Sequence, residues 1–470
     1  MNYVSTRGRA PVLGFEDVLL TGLASDGGLY VPESWPQFSA AELTACAGRS
    51  YAEVAVKIIA PFVGDAVPAA TLGALAADAY RGFAHPATAP LVQIDDNDWL
   101  LELFHGPTLA FKDFALQLLG RLFDHVLSKR GERVTVVGAT SGDTGSAAIA
   151  AFKDRANLEI FILHPKDRVS EVQRRQMTTV AAANVHNIAI EGSFDDCQAL
   201  VKAMFNDAQF RAALNLSAVN SINWARVMAQ VVYYVTAAVA LGGPARPVAF
   251  AVPTGNFGDA YAGYVASRCG LPVARLVVAT NRNDILARLF HFGRYLPGEV
   301  VATMSPSMDI QVASNFERLL FELCRRDGAA VEARLSLLAK DGQFDLTAQQ
   351  LAEVRGMFDS ARIDEDETLA EIGRVFERCG RLIDPHSAIG SAAARKRRGA
   401  KTVPMIALAT AHAAKFPDAV VRATGLRPEL PASFQGLMDE REHYAVLARD
   451  LGAVQTYIRD RAGRSDHGHN

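Results

Sequence analysis

Cysteine is scarce in this 470-residue sequence, which has five cysteines and no CxxC pair. Neither a disulfide framework nor a zinc motif is therefore indicated, and a reducing compartment is expected. A basic block is also missing, since 48 Lys and Arg residues face 51 Asp and Glu residues, for a formal net charge of −3. Such a chain is a poor candidate for sequence-independent binding to nucleic acid.

Long hydrophobic runs are missing as well. The most apolar stretch, residues 231–241, is too short to span a bilayer and is interrupted by Thr236. Residues 1–7 lack the hydrophobic core of a signal peptide. We therefore expect a cytoplasmic protein that binds neither membranes nor nucleic acid and holds no metal. With 50% hydrophobic and 21% charged residues, the composition is that of a globular protein.

What the sequence does contain is an alternation of strand-like and helical patterns from about Trp99 onward. Such alternation predicts parallel sheets covered by helices on both faces. A break near Gly242 suggests that there are two such α/β domains. We predict a mostly helical N-terminal lobe, two parallel-sheet α/β domains and a polar tail, at residues 1–95, 96–242, 243–458 and 459–470. The strands and helices that place the motifs are expected at 100–104, 112–128, 133–138, 158–163, 185–190, 224–240, 248–252 and 276–279.

Two glycine-rich loops each follow a predicted strand and open a helix. They read GATSGDTGS at 138–146 and PTGNFGD at 253–259. Backbone N–H groups at a helix start attract anions, and glycines let the anion come close. The second loop is the better phosphate site, although Asp259 would repel phosphate unless it caps the helix. Each loop alone is equally compatible with a plain turn, whereas two together indicate two negative groups to hold.

A lysine lies in apolar surroundings at the start of a predicted helix. The segment GPTLAFKDF places Lys112 directly after Phe111 and before Asp113. Apolar surroundings favour the neutral amine, which suits Schiff-base chemistry. A lysine that simply extends to solvent from a helix terminus is the ordinary alternative, and for an isolated lysine it is the more common one.

The segment NSINWAR at 220–226 also opens a helix. Arginine grips phosphate in a bidentate fork, which makes Arg226 a candidate anion ligand together with Ser221 and Asn223. The alternative is an N-cap at Ser221 or Asn223 beside a surface arginine. Two more polar segments, at 384–388 and 409–416, are individually compatible with caps or packing.

Taken together, these segments resemble the threonine synthases, a family of fold-type II pyridoxal-phosphate enzymes. The similar segments, in family order over about residues 5–425, are GLYVP from residue 28, HGPTLAFKDFALQ from 105, GATSGDTGSAA from 138, NSINWAR from 220, PTGNFGDAYAG from 253, DPH from 384 and LATAHAAKF from 408. The start, YVSTR, is closer to the bacterial and fungal form of the family than to the plant-like form.

The resemblance implies pyridoxal 5'-phosphate as the cofactor. Lys112 would hold it as a Schiff base and move protons, the second glycine-rich loop would bind its phosphate, and Thr410 would face its pyridine nitrogen. The residues that would contact the cofactor are Lys112, Asp143, Gly255, Asn256, Phe257, Gly258, Asp259 and Thr410. The residues that would contact the substrate carboxylate or phosphate are Ser141, Gly142, Thr144, Ser221, Asn223 and Arg226.

Two positions depart from the family pattern. Many fold-type II relatives carry asparagine where this chain has Asp143, which puts the contact of Asp143 with the ring oxygen in doubt. The family often has proline where this chain has Ala413, which loosens the loop after Thr410. A neutral threonine at the pyridine nitrogen tunes the ring toward weaker carbanion stabilisation than an acidic partner does.

The implied reaction converts O-phospho-L-homoserine and water into L-threonine and phosphate, in a protein that is a monomer or a homodimer. The alternatives are a phospho-lyase or a serine/threonine dehydratase that yields 2-oxobutyrate. A phosphate site at Arg226 argues against the dehydratase. The non-enzyme alternative is a pseudoenzyme that senses the cofactor or a metabolite, against which the intact Lys112 and both loops count.

Overall fold

The structure is a computed structural model that describes residues 1–218 and 220–462. The expected polar tail at 459–470 therefore lies mostly outside the described residues. The α-helices are α1 Phe15–Thr21, α2 Ala40–Thr44, α3 Tyr51–Val63, α4 Ala69–Tyr80, α5 Lys112–Arg130, α6 Asp143–Phe152, α7 Glu171–Thr178, α8 Phe194–Asn206, α9 Ala208–Ala213, α10 Trp224–Ala240, α11 Gly258–Arg268, α12 Ile285–Phe292, α13 Phe316–Leu323, α14 Gly328–Asp341, α15 Ala348–Met357, α16 Glu365–Cys379, α17 Pro385–Lys396, α18 Pro417–Thr424 and α19 Leu451–Arg459. The strands are β1 Asn2–Ser5, β2 Leu13–Gly14, β3 Tyr30–Pro32, β4 Leu91–Asp95, β5 Asp98–Glu102, β6 Val134–Ala139, β7 Leu158–Pro165, β8 Val185–Glu191, β9 Leu216–Ser217, β10 Val248–Pro253, β11 Val273–Thr280, β12 Arg294–Tyr295, β13 Phe344–Asp345, β14 Phe358–Arg362, β15 Met405–Ala409 and β16 Ala445–Ala448.

Contacts within the chain group its residues into two compact units. The first unit comprises Met1–Leu19, Leu23–Ala115 and Ser221–Pro428. The second comprises the described residues of Leu20–Gly22, Leu116–Asn220 and Glu429–Asn470. The division thus falls inside α5. The expected domains are continuous stretches of the chain, with boundaries at 95, 242 and 458, whereas each unit combines several stretches. The units therefore do not test those boundaries, which remain a prediction.

A six-stranded sheet organises the first unit, in the order β14-β11-β10-β15-β5-β4. The strands are parallel except β4, which runs antiparallel to β5 at one edge. On one face, α16 and α17 contribute Ile372 and Ile389 to an apolar core that includes Ala251 and Val277 from the sheet. On the other face, the Tyr234 ring of α10 packs edge-on against Phe250, 4.7 Å between centroids. The sheet is therefore covered on both faces, as the alternating pattern predicted.

Strand β5 has a sheet partner that the sequence did not suggest. Its residues were expected in the domain 96–242, but β5 pairs in parallel with β15, with Leu100 opposite Ala407. Parallel strands are joined by long crossover connections, so the partner of a strand is not encoded in the local hydrophobic pattern. This pairing brings the segment that leads to Lys112 into the first unit.

The second unit contains a five-stranded parallel sheet in the order β16-β8-β7-β6-β9. All eight residues of β7 are buried, which is typical of a central strand covered on both faces. Its core joins Phe161 and Ile188 of the sheet to Leu200 of α8 and Val454 of α19. Strands and helices thus follow the expected parallel α/β plan in both units, and the predicted helix at 224–240 has the same bounds as α10.

The N-terminal lobe is mostly helical, as predicted, but it also contains a small antiparallel sheet of order β2-β1-β3 that the sequence did not indicate. Helix α3 begins with a capping box in which Ser50 and Glu53 bond each other's backbone N–H groups. Within residues 1–218 and 220–462, no helix is both long and apolar enough to cross a membrane. The same residues contain no cluster of three or more His, Cys, Asp or Glu side chains that could hold a metal ion.

Candidate active site

Lys112 is the first residue of α5 and follows a turn that is held together by its neighbour Asp113. The Asp113 carboxylate accepts hydrogen bonds from the Thr108 backbone N–H (2.8 Å) and the Thr108 hydroxyl (2.7 Å). Lys415 is fully buried and donates to the Thr108 carbonyl at 2.7 Å. Burial raises the pKa of Asp113 to about 6, against the hydrogen bonds from Thr108 and the nearby Lys415 charge. The turn before Lys112 is therefore fixed by buried polar contacts.

Thr410 lies beside this turn because two chain segments pair in antiparallel fashion after β5 and β15. The Phe111 N–H donates to the Thr410 carbonyl at 2.8 Å, and the His412 N–H donates to the Leu109 carbonyl at 3.0 Å. These bonds flank an isolated bridge between Ala110 and Ala411. They bring Phe111, the residue before Lys112, next to Thr410. Lys112 and Thr410 can therefore belong to one site.

The side chain of Lys112 is only 8% exposed, and its Nζ lies 4.9 Å from the centre of the Phe111 ring. Its charge also acts on Asp259, a buried residue of α11. Burial raises the pKa of Asp259 to about 6, while the Lys112 charge and a hydrogen bond from Thr254 oppose the rise. Lys112 and Asp259 are therefore close enough in the first unit to interact electrostatically.

The loop between β10 and α11 has the features of a phosphate site. A Cβ atom on Gly255 would lie 2.9 Å from the Ser307 carbonyl oxygen, and one on Gly258 would lie 3.2 Å from Asn315 Nδ2. Phe257 adopts a left-handed conformation (φ 65°) and is fully buried. Among the described residues, no hydrogen bond occupies the N–H groups of Gly255, Asn256 and Gly258, and they lie at a helix start. The loop thus offers unused donors to an anion.

The Asp259 carboxylate is buried and is engaged by residues of its own loop and helix. The carboxylate accepts hydrogen bonds from the Thr254 hydroxyl and from the Ala260 N–H at 2.9 Å. Thr254 Oγ1 in turn accepts from the Phe257 N–H at 3.0 Å. Asp259 is thus the second residue of α11 and not its N-cap, which is Phe257, so the cap role that the sequence suggested for Asp259 is wrong; its carboxylate is instead held by Thr254 and Ala260.

Arg226, in the first turn of α10, is 4% exposed and interacts electrostatically with Asp259. Its Nε and Nη1 atoms are buried and have no hydrogen-bond partner among the described residues. Burial lowers the pKa of Arg226 to about 10, so that the side chain still carries its charge at neutral pH. A buried, charged guanidinium with unused donors is the arrangement expected of a site that binds an anion.

The other two candidates in this segment differ from Arg226. Asn223 is the N-cap of α10: its Oδ1 accepts from the Ala225 N–H (3.0 Å) and its Nδ2 donates to the Leu19 carbonyl (2.8 Å). This agrees with the N-cap alternative, and the amide is engaged with backbone. Ser221 is partly exposed, and its carbonyl accepts from Asn315 Nδ2 at 3.1 Å.

In the second unit, the loop between β6 and α6 carries Ser141, Gly142, Asp143 and Thr144. Its shape is set by Thr140, whose hydroxyl oxygen accepts from the N–H groups of Gly142 (3.0 Å) and Gly145 (2.9 Å). Gly142 has a φ of 145°, which only glycine adopts readily. The Asp143 carboxylate accepts from Gln173 Nε2 at 2.7 Å.

Several residues that shape these loops were not singled out by the sequence analysis. They are Thr140, Gln173, Thr254 and Lys415. One signal was available, since a threonine directly follows both β6 and β10 and each binds amides of its own loop. Gln173 and Lys415 act over 30 and 307 residues of sequence, and no local pattern could have paired them.

Pyridoxal phosphate fits the residues of the first unit. Lys112 carries a primary amine in buried surroundings, unused backbone donors lie at the β10–α11 loop, and side chains at Gly255 or Gly258 would crowd that loop. The cofactor, when bound, supplies a carbonyl carbon that reacts with amines and a ring that accepts electrons from the α-carbon. The fold and this site define the class of protein, a pyridoxal-phosphate-dependent enzyme of fold type II.

Comparison with known proteins narrows the class to a family. Residues 86–344 match the family model described as pyridoxal-phosphate dependent enzyme, and residues 2–80 and 387–458 match the models for the threonine synthase N terminus and C-terminal part. The threonine synthase of Pseudomonas aeruginosa is 54% identical over 465 residues, which cover 99% of each chain. The chain belongs to the threonine synthase family.

Solved structures agree with this assignment. The structure of pyridoxal-phosphate-bound threonine synthase from Brucella melitensis superposes with a TM-score of 0.97 at 56% identity, covering 98% of this chain and 100% of that one. Threonine synthase from yeast gives a TM-score of 0.94 at 37% identity, over 98% and 99% of the two chains. The predicted fold class, family and cofactor are thereby confirmed, whereas the roles of individual site residues stay predictions.

Proposed function

We propose that this chain converts O-phospho-L-homoserine and water into L-threonine and phosphate. The observation that carries the proposal is Arg226, a buried cation with unused donors near the loop assigned to the cofactor phosphate. An enzyme that expels phosphate must hold a doubly charged group before and during its departure. A fixed guanidinium in a water-poor site stabilises that charge without reorganising.

Lys112 has two tasks in this proposal. Its Nζ would hold the cofactor in the resting enzyme, and the same atom would accept the α-proton of the substrate and return protons to it. Asp113 and Lys415 keep the preceding turn in place, so that Nζ starts from a fixed backbone position. Thr410 would offer a neutral hydroxyl to the pyridine nitrogen.

The glycine-rich loops are proposed to bind the two remaining anionic groups. The loop of Gly255, Asn256, Phe257, Gly258 and Asp259 takes the cofactor phosphate through backbone N–H groups. Ser141, Gly142 and Thr144 are retained as candidates for the substrate carboxylate, and Asp143 as a candidate contact of the cofactor, on the resemblance alone. Ser221 is retained beside Arg226 as a candidate phosphate ligand, while Asn223 is retained only as the cap that fixes the start of α10.

The decisive experiment incubates the purified protein with O-phospho-L-homoserine and measures threonine and 2-oxobutyrate together. Threonine and phosphate in equal amounts are expected. Predominant 2-oxobutyrate would favour the phospho-lyase, and activity on serine or threonine without phosphate would favour the dehydratase. A borohydride-reducible chromophore with no turnover on any of these substrates would favour a sensor.

We also propose a cytoplasmic location and a monomeric or homodimeric state. Support for a reducing compartment comes from the five cysteines, which are all unpaired, with Cys46, Cys197, Cys269 and Cys324 buried. Light scattering during size-exclusion chromatography measures the oligomeric state directly, and a mass above that of a dimer would contradict this part of the proposal.

A further inference from the structure

We propose that Asp384 and His386 are positioning residues that join the two ends of the cofactor site, the ring end at Thr410 and the phosphate end at Gly255. The inference rests on the proposed placement of the cofactor. The mechanism gives neither residue a task, yet both are buried at the start of α17 in the first unit. We call the contacts that radiate from Asp384 to Thr410 and to Ser307 the Asp384 network.

Asp384 is completely buried and divides its two carboxylate oxygens between two neighbours. Oδ1 accepts hydrogen bonds from the Ser387 N–H (3.0 Å) and from the Ser387 hydroxyl. Oδ2 accepts from the His386 N–H (3.0 Å) and lies 2.6 Å from His386 Nδ1. As the N-cap of α17, this carboxylate thereby also fixes the rotamers of two side chains.

The first branch of the network runs through Ser387 to the ring end. Because the Ser387 hydroxyl donates to Asp384, its oxygen is left to accept, and it accepts from the Thr410 N–H at 3.0 Å. The Thr410 carbonyl meanwhile accepts from Phe111, the residue before Lys112. The peptide groups on both sides of Thr410 are thus held, one by α17 and one by the lysine turn.

The second branch runs through His386 to the phosphate end. His386 Nδ1 faces a carboxylate oxygen and must carry a proton, so in the neutral ring Nε2 is an acceptor. Nε2 accepts from the Ser307 N–H at 3.3 Å. The Ser307 carbonyl oxygen and Met308 Cα are two of the atoms that a Cβ on Gly255 would meet, at 2.9 and 3.3 Å. His386 therefore supports the segment on which the phosphate loop rests.

The ordinary alternative is that Asp384 is a helix cap and that His386 is merely a well-packed core residue, 4.7 Å from the Phe416 ring. That alternative and the proposal predict different responses to two substitutions of His386. The asparagine side chain in H386N can replace Nδ1 as a donor to Asp384 but is too short to reach Ser307. The glutamine side chain in H386Q can bring an oxygen to the position of Nε2 and accept from Ser307.

The experiment compares holoenzymes of wild type, H386N, H386Q and S387A. Release of pyridoxal phosphate on dilution is followed by absorbance, the cofactor phosphate by 31P NMR and the fold by circular dichroism and thermal unfolding. We expect H386N to release the cofactor about three- to tenfold faster, as loss of one hydrogen bond implies, and to shift the 31P signal. H386Q should stay within about twofold of wild type.

S387A tests the other branch, because it removes the acceptor of the Thr410 N–H and leaves His386 in place. We expect a shifted absorption band of the bound cofactor with an unchanged 31P signal. Equal behaviour of H386N and H386Q, with both 31P signals as in wild type, would overturn the proposal. So would a shifted 31P signal in S387A without any change of the absorption band.

One further variant separates this inference from the proposed function on which it rests. G258V places a side chain at the phosphate loop itself, and we expect faster cofactor release from it. If G258V retains the cofactor as wild type does, the assignment of the phosphate loop fails. If G258V loses the cofactor while H386N and H386Q behave alike, the loop assignment stands and the Asp384 network is only structural.

Discussion

Replacing Arg226 with methionine should reduce catalysis and leave the free protein at least as stable. The guanidinium is buried, and its Nε and Nη1 have no partner among the described residues. Burial lowers the pKa of Arg226 from 12.5 to about 10. A change of this size corresponds to about 3 kcal/mol by which the folded state disfavours the charge. Because the folded pKa is lowered, that cost is present whenever the side chain is charged, including at neutral pH.

Methionine has a similar length and no charge, so Arg226→Met removes the cost without opening a large cavity. The Asp259 carboxylate loses a neighbouring cation but keeps its hydrogen bonds from Thr254 and Ala260. We therefore expect the free energy of unfolding without ligand to be unchanged or to rise by up to about 3 kcal/mol. The substrate phosphate, in contrast, loses a charge-assisted contact worth about 1.5–3 kcal/mol, or about ten- to a hundredfold in kcat/KM.

Three measurements check this expectation: kcat/KM for O-phospho-L-homoserine, cofactor occupancy, and thermal unfolding with and without inorganic phosphate. Phosphate should raise the unfolding temperature of wild type more than that of Arg226→Met. Arg226→Lys keeps the charge without the fork and should lie between the two. A destabilised Arg226→Met with wild-type kcat/KM would refute the reasoning and make Arg226 a structural residue.

Three other outcomes follow from the site. Lys112→Ala should abolish turnover and the borohydride-reducible linkage to the cofactor; a reducible linkage that persists would exclude Lys112 as the attachment point. Gly258→Val should weaken cofactor binding with the α/β fold intact, because the new Cβ would lie 3.2 Å from Asn315 Nδ2. The control Gly73→Val, at a helical glycine whose Cβ would meet nothing within 4 Å, should leave cofactor affinity unchanged. Equal cofactor affinities of the two variants would mean that the phosphate site lies elsewhere. The raised pKa of Asp113, about 6 against 3.8, means that its contribution to stability is present below about pH 4 and is lost as pH rises to about 6, by about 3 kcal/mol. Between pH 4 and 7, the free energy of unfolding measured with denaturant should therefore fall less for Asp113→Asn than for wild type. If the free energies of both proteins fall in parallel, Asp113 is not the cause of the decline.

Much of the candidate site could be predicted from short segments, because the interactions that shape those segments join residues that are close in the sequence. A strand followed by glycines and a helix start leaves N–H groups without intrahelical partners, so the loop at 253–259 could be predicted to be a candidate anion site. The helix from Trp224 to Ala240 has the predicted bounds, since the cap residue Asn223 directly precedes it and the hydrophobic pattern lies within it. The family and cofactor followed from several such segments taken together.

Local sequence patterns could not predict which loop residues form hydrogen bonds with each other. Thr140 and Thr254 shape their loops through a single hydroxyl each, and neither was singled out from the sequence. The environment of Arg226 was also open, because the same sequence fits a surface arginine and a buried one. Its burial beside Asp259 depends on the packing of α10 against α11, which brings residues 33 positions apart together.

The sequence by itself therefore predicted the strands and helices that carry the motifs, the two candidate anion loops and the candidate lysine, because each depends mainly on residues close to it in the sequence. Only the tertiary structure decided how they combine. The pairing of β5 with β15 sets Lys112 beside Thr410 although about 300 residues separate them, through bonds between backbone groups that every residue possesses. The Asp384 network arises for the same reason, since Ser307 takes part through its backbone N–H and its side chain carries no signal of that contact.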